Sequence, residues 1–202
     1  MAGNAKVLLF LYPIKAYLDH LLRDNQGWMT RTGSSVTNMN FLIDGRYRQQ
    51  GYAIYWLLFG REDDVRMPDR AELKADVIDV RAEDSLISCG IAYAEHRKHR
   101  IYPDSGYIFG QLPENMERLV LGGYHNGDCV DRLAAAWYGK IPELRVDEDI
   151  TDDFFPRTYF GGKIPLVRPR PLTLRDIEVE DRYTIDMMTA YRKERPWLEP
   201  IL

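Results

Sequence analysis

Two stretches of this chain are apolar without interruption. Lys6-Val-Leu-Leu-Phe-Leu-Tyr12 and Tyr52-Ala-Ile-Tyr-Trp-Leu-Leu-Phe59 show no alternation of polar and apolar residues. A strand with one wet face alternates; a strand without alternation is buried on both faces, as in a parallel sheet covered by helices. What lies between the runs suits such a cover. Pro13 fits a first helical turn, and Ile14, Tyr17, Leu18, Leu21 and Leu22 keep helical spacing up to Asp24. Gly27 to Thr37 reads as a loop. Asn38 can cap a second helix with Met39, Leu42, Ile43 and Tyr47 on its inner face, ended by Gly51. Arg46-Tyr-Arg48 is then a helix end or a cleft edge.

Further along, Arg61 to Lys74 is charged, contains Pro68 and reads as a surface excursion. Asp76 to Arg81 alternates like a third strand, and Ser85 to Glu95 reads as helical. Arg100 to Gly110 is a short strand or a packed loop, and Leu112 to Met116 a short helix. Arg118 to Leu121 and Glu143 to Asp147 complete the strands, with a helix between them that Gly139 and Pro142 break. Alternating strands and helices predict an α/β fold: a three-layer, doubly wound, mostly parallel sheet of about five or six strands. From about Asp152 the texture changes. Phe154-Phe-Pro, Gly161-Gly and Leu166 to Leu172 read as extended, and Ile177 to Arg192 as a last helix. We therefore expect an α/β domain over residues 1–151 and a C-terminal extension over 152–202, packed on that domain or on a partner subunit. No internal repeat or low-complexity tract is evident.

A hydrophobic share of 45% against 29% charged among 202 residues allows a sizeable core. The net charge of -4 argues against a nucleic-acid or acidic-membrane binder. Thirteen Tyr and four Trp fill a core, or line a cleft or an oligomer interface. Together with the apolar tail they predict a homo-oligomer. Two cysteines make no disulfide framework. The N-terminus runs straight into a strand, and neither apolar run is long enough to cross a bilayer, so a cytoplasmic protein is expected.

Chemistry concentrates after Arg118 to Leu121. Gly122-Gly123 makes a turn, and Val130, Leu133, Ala134 and Trp137 form one apolar helix face. The loop between holds Tyr124, His125, Asn126, Asp128 and Cys129. Ligands of open α/β sheets bind at the carboxyl ends of strands, where such a loop lies. A cysteine opening a helix sits at the positive end of the helix dipole, which favours thiolate. Cys129 is therefore a candidate nucleophile, or a buried helix-start thiol. His125 and Asp128 are candidate assistants, with Asp128 alternatively capping the helix. Tyr12, Tyr124, Asn126 and Arg100 are candidate ligand contacts. One His and one Asp fall short of the three or four ligands a metal needs, so no metal is expected there.

Other polar segments divide between a site and a plain surface. His96-Arg-Lys-His99-Arg100 is an anion contact or a solvated helix end. Glu148-Asp149 with Asp152-Asp153 is a magnesium site or, more simply, a solvated acidic loop. Thr32-Gly-Ser-Ser35 lacks the Gly-Lys-Ser/Thr of a phosphate loop, and Gly-x-Gly-x-x-Gly, Cys-x-x-Cys and His-Glu-x-x-His are missing. No cofactor is predicted.

The segment Leu119-Val-Leu-Gly-Gly123, five residues, Cys129-Val130, Ala134-Ala-Ala, Gly139 and Leu144 to Asp149 resembles the nucleophile region of the isochorismatase-like cysteine hydrolases. Ser105-Gly-Tyr107 followed by Leu112 echoes that family's Ser-Ala-Phe segment. The resemblance covers about Arg100 to Asp149. It implies a Rossmann-like fold, a small-molecule amide or ester hydrolase with Cys129 as nucleophile, and a cis peptide ahead of the cysteine loop. Tyr12-Pro13 stands where the family carries its first-strand acid, and Lys98 and Arg100 are the basic residues nearest to the family's lysine position. An unassisted thiol attacks amides slowly, so His125, Asp128 or Asp19 would have to substitute. The alternative is a non-catalytic protein of the same fold that binds a small ligand or a partner protein through residues 123–129.

Overall fold

The computed structural model describes residues 5–13, 40–65, 79–153 and 189–198. Residues 14–24 of the predicted first helix, the loop from Gly27 to Thr37, the cap at Asn38, residues 76–78 of the predicted third strand and most of the 152–202 extension lie outside them. Among the described residues five strands form one sheet: β1 (Ala5–Leu11), β2 (Ala53–Leu58), β3 (Ser85–Ser88), β4 (Met116–Asn126) and β5 (Glu143–Asp153). Their order is β3-β2-β1-β4-β5, and every neighbouring pair is parallel. This is the doubly wound α/β arrangement expected from the apolar runs. The order reverses between β1 and β4, so the crevice at their carboxyl ends is where such folds bind ligands.

Strand geometry sends successive side chains to opposite faces. Val7, Leu9 and Leu11 of β1 join Leu57, Leu119, Leu121 and Val146 on one face. Leu8 and Phe10 join Ile54, Trp56, Val120 and Ile150 on the other. Leu42, Ile43 and Tyr47 cover that second face from a helical stretch that widens into a π-helix over Ile43–Tyr47. Gly51, at φ +76°, ends it. Arg46 and Tyr47 there donate to the buried Asp147 of β5 at 2.8 and 2.6 Å, so they tie helix to sheet rather than edging the cleft.

Among the described residues the first face carries three helices: α1 (Tyr93–His99), α2 (Ser105–Phe109) and α3 (Cys129–Trp137). Val130, Leu133, Ala134 and Trp137 of α3 are all buried, as their spacing predicts. Burying four such side chains contributes several kcal/mol by area removed from water.

Several local expectations differ from the structure. Ser85 to Ser88 is a strand, not the start of a helix. Its outer edge is closed by Gln111, whose side chain accepts from the Ser88 N–H at 3.0 Å and donates to the Ser88 carbonyl at 2.8 Å. Among the described residues a side chain thus stands at Ser88 where a next strand would pair, and this partner is distant in sequence. Ser105–Phe109 is helical because the Asp104 carboxylate caps it, accepting from the Tyr107 N–H at 2.7 Å. Met116 begins β4 rather than ending a helix, and residues 79–81 are not in a strand. Glu148 is buried and ion-paired with Arg192, so that part of the acidic segment is not a solvated loop.

The described part of the C-terminal extension packs on the α/β domain. The Trp197 carbonyl accepts from the Val146 N–H at 3.0 Å, and Trp197 and Leu198 enter the first core. Asp131 of α3 holds this segment, accepting from Arg195 Nε at 2.6 Å and from Trp197 Nε1 at 3.1 Å. No helix among the described residues is long and apolar enough to cross a membrane.

Candidate functional site

The chain returns four times to one edge of the sheet. Tyr12 follows β1, Phe59 follows β2, His96 lies on the helix after β3, and Cys129 opens the helix after β4. Tyr12 leaves its strand at φ 58°, with its N–H on the Leu57 carbonyl at 2.8 Å, and its ring stacks on Phe59 at 4.0 Å. His96 packs against Phe59 at 5.3 Å and edge-on to Tyr102 at 5.2 Å.

His96 reaches this edge because α1 is short and sharply terminated. The Glu95 carboxylate accepts from the Ala92 N–H at 2.7 Å, half of a capping box. Arg100 closes the helix in the left-handed conformation at φ 52°, donating its N–H to the His96 carbonyl at 3.0 Å. Arg97, Lys98, His99 and Arg100 are exposed.

Cys129 Sγ lies 3.7 Å from Nε2 of His96. The opposite ring nitrogen, Nδ1, is 2.9 Å from the Ile101 carbonyl. A carbonyl can only accept, so Nδ1 carries the proton of this bond. In the neutral ring Nε2 is then the acceptor, and it faces the thiol. A backbone carbonyl thus orients the imidazole, and the imidazole receives S–H.

Asp128 completes the cluster: its carboxylate, His96 nitrogen and Cys129 sulfur all lie within 4.8 Å of one another. Asp128 occupies the N-cap position of α3, but its side chain makes no capping hydrogen bond. Its carboxylate instead accepts from the Tyr102 hydroxyl, which raises the Tyr102 pKa, and pairs with Arg132 Nε at 3.4 Å. The Arg132 guanidinium stacks on the Tyr102 ring at 3.6 Å.

The expected thiolate is not what this setting favours. Burial, and secondarily the Asp128 charge, push the Cys129 thiol up to about 12; the Tyr12 hydrogen bond and Arg132 pull the other way and lose. A desolvated sulfur beside a carboxylate outweighs the helix dipole, and the thiol is protonated at rest. Cys89 is near enough to raise the Cys129 thiol slightly, but the two form no disulfide, and the Cys89 Sγ donates to the Ile91 carbonyl at 3.3 Å.

A cavity of about 140 Å³ adjoins Cys129, lined by Tyr12, Tyr102, Pro103, Ser105, Arg132, Leu133 and Ala136. A cavity near ~150 Å³ accommodates a molecule the size of benzene.

The structure brings together Cys129, Asp128 and Tyr12 from the sequence-predicted set. Tyr124 is buried in the opposite core with Phe10 and Ile150. His125 lies edge-on to Tyr124, its carbonyl accepting from the Asp128 N–H. The Tyr124–His125 peptide bond is cis. Asn126 is described by its backbone, which pairs with Asp153. Arg100 acts through its backbone as the end of α1. His96 was visible only as part of a basic run, and Tyr102, Ser105 and Arg132 were not singled out as site residues. The aromatic residues flanking His96, Tyr93 and Tyr102, were the available signal.

No protein-family model matches the chain, and no curated protein matches it. Among solved structures it is similar to a hypothetical protein from Trypanosoma cruzi, with 11% identity over 98% of this chain and 79% of that one and a TM-score of 0.45.

Proposed function

We propose that the protein is a small-molecule hydrolase acting on an amide or ester, with Cys129 as nucleophile and His96 as its base. The observation that carries this reading is the oriented pair: Nε2 of His96 at 3.7 Å from Sγ, with Nδ1 held by Ile101, beside a cavity that fits one ring-sized group. His96 supplies the base that the resemblance sought in His125 or in a first-strand acid.

With a protonated resting thiol, proton transfer accompanies attack. The S–H proton passes to Nε2 as sulfur bonds to the carbonyl carbon and the carbonyl π pair moves onto oxygen. The imidazolium then gives its proton to the departing amine or alkoxide, leaving a thioester. Water adds to the thioester, giving a proton to Nε2. Sulfur leaves, regains that proton, and the acid is released. Asp128 disfavours free thiolate, so sulfur attacks as its proton leaves rather than after it has left.

The raised Cys129 pKa favours a second reading, a non-catalytic protein that binds a small ligand in the same cavity. Turnover by the wild type that disappears in Cys129→Ser supports the hydrolase. Ligand affinity equal in both proteins, with no turnover in either, supports the binder. Under both readings we take the protein to be a homo-oligomer, with exposed Ile101 and Tyr107 as candidate contacts; its mass in solution tests this.

A further inference from the structure

We infer that His96, Asp128 and Cys129 form a binding site for a soft divalent cation of the zinc class. Three ligand atoms of different chemistry, imidazole nitrogen, carboxylate oxygen and sulfur, lie within 4.8 Å of one another. An ion at tetrahedral angle, with Zn–S near 2.3 Å and Zn–N near 2.05 Å, spaces its sulfur and nitrogen ligands by about 3.6 Å. The observed separation of Sγ and Nε2 is 3.7 Å. The cation would enter where the S–H proton now lies, and that proton would go to solvent.

The surroundings of the ligands match this role. A metal-binding imidazole normally donates its other N–H to a carbonyl or carboxylate, which fixes the ring. Nδ1 of His96 does so with Ile101. The Asp128 carboxylate is likewise held by the Tyr102 hydroxyl. A thiolate and a carboxylate together carry the charge that neutralises a divalent ion. The adjoining cavity leaves room for water as a fourth ligand. Thiolate and imidazole select zinc-like ions over magnesium or calcium, which prefer all-oxygen sites. One group opposes binding: Arg132 already pairs with Asp128 and places a positive charge beside the site.

Occupation would tie up the sulfur that the hydrolase reading uses as nucleophile, so the cation would inhibit turnover. That consequence rests on the proposed function; the binding does not.

The test is titration of the full-length, metal-stripped protein with Co²⁺ alone. The expected result is one equivalent bound, with intense visible bands of a tetrahedral ion and a near-ultraviolet sulfur-to-cobalt charge-transfer band, all removed by stoichiometric Zn²⁺. Cys129→Ser loses the charge-transfer band and Cys89→Ser keeps it. His96→Gln weakens binding by more than the ~10–100-fold typical of losing an outer-shell partner. Arg132→Gln tightens it. Circular dichroism of each variant separates ligand loss from unfolding. A band that persists in Cys129→Ser, unchanged affinity in folded His96→Gln, or no stoichiometric cobalt spectrum in the wild type overturns the inference. Because the readout is absorption, cobalt binding together with no hydrolysis by the metal-free protein would reject the hydrolase reading and keep the cation site. Hydrolysis without cobalt binding would do the reverse.

Discussion

Nε2 of His96 and Sγ of Cys129 face each other across 3.7 Å, although the two residues belong to different crossover connections of the sheet. The Ile101 carbonyl leaves the ring one way to present its acceptor nitrogen. Under the hydrolase proposal this pair is what would make a buried, protonated thiol usable.

Removing the base while keeping the fold is the sharpest perturbation of turnover. His96→Gln is expected to lower kcat by about 100- to 10,000-fold, the usual worth of general acid–base catalysis. Substrate affinity changes little, because His96 does not line the cavity wall as Tyr12, Tyr102 and Leu133 do. Steady-state kinetics on wild type and variant check this; a rise in KM with unchanged kcat contradicts it.

The thiol also leaves a signature in stability against pH. Its ordinary pKa is 9.0, and the fold raises it to about 12. Between those values the folded state keeps a proton that the unfolded chain has lost. Stability is therefore full below pH 9 and falls as pH rises towards 12, by up to about 1.4 kcal/mol per unit. Cys129→Ser lacks this contribution, so urea midpoints of the two proteins diverge with rising pH. Asp128→Asn removes the second cause of the shift and narrows the window. Parallel midpoints would show that the thiol is not buried as described.

Two carboxylates hold the described C-terminal segment: Glu148 pairs with Arg192, and Asp131 takes the residues that follow. Asp131 accepts from both Arg195 Nε and Trp197 Nε1. Asp131→Ala strands these donors and is expected to cost about 1.5–3 kcal/mol, the worth of hydrogen bonds to charged groups. Protease cleavage near residues 189–198 should accelerate in the folded variant. An unchanged cleavage rate would mean that Trp197 and Leu198 dock without the carboxylate.

Two glycines predict costs of different size. At Gly123, φ +102°, a Cβ would lie 2.2 Å from the Leu11 carbonyl oxygen, where β1 and β4 meet. At Gly139, φ +82°, a Cβ meets nothing within 4 Å. Gly139→Ala is expected to cost about 1–2 kcal/mol, the strain of the left-handed conformation. Gly123→Ala must move backbone and is expected to exceed about 4 kcal/mol. Denaturant unfolding of both variants tests the ranking.

The fold was legible where burial on both faces imposes composition, as at Lys6 to Tyr12 and Tyr52 to Phe59. The apolar spacing of Val130, Leu133, Ala134 and Trp137 likewise revealed the helix after Cys129. Ser85 to Ser88 was not legible: four residues carry no period, and their edge partner is the side chain of Gln111. Cys129 stood out through its place between strand and helix. Its protonation state did not, because desolvation and the turning of Asp128 towards Tyr102 are tertiary effects. His96 was hidden in a basic run, since its role depends on Ile101, five residues on, and on Cys129, 33 residues on.

The most direct test of the central claim is intact-protein mass spectrometry after brief exposure to activated aryl esters of single-ring size. The account predicts one acyl group on Cys129 in the wild type, formed at a greatly reduced rate in His96→Gln and not at all in Cys129→Ser. Acylation at the same rate in His96→Gln, acylation of Cys89 alone, or no adduct and no turnover with any ester would contradict it.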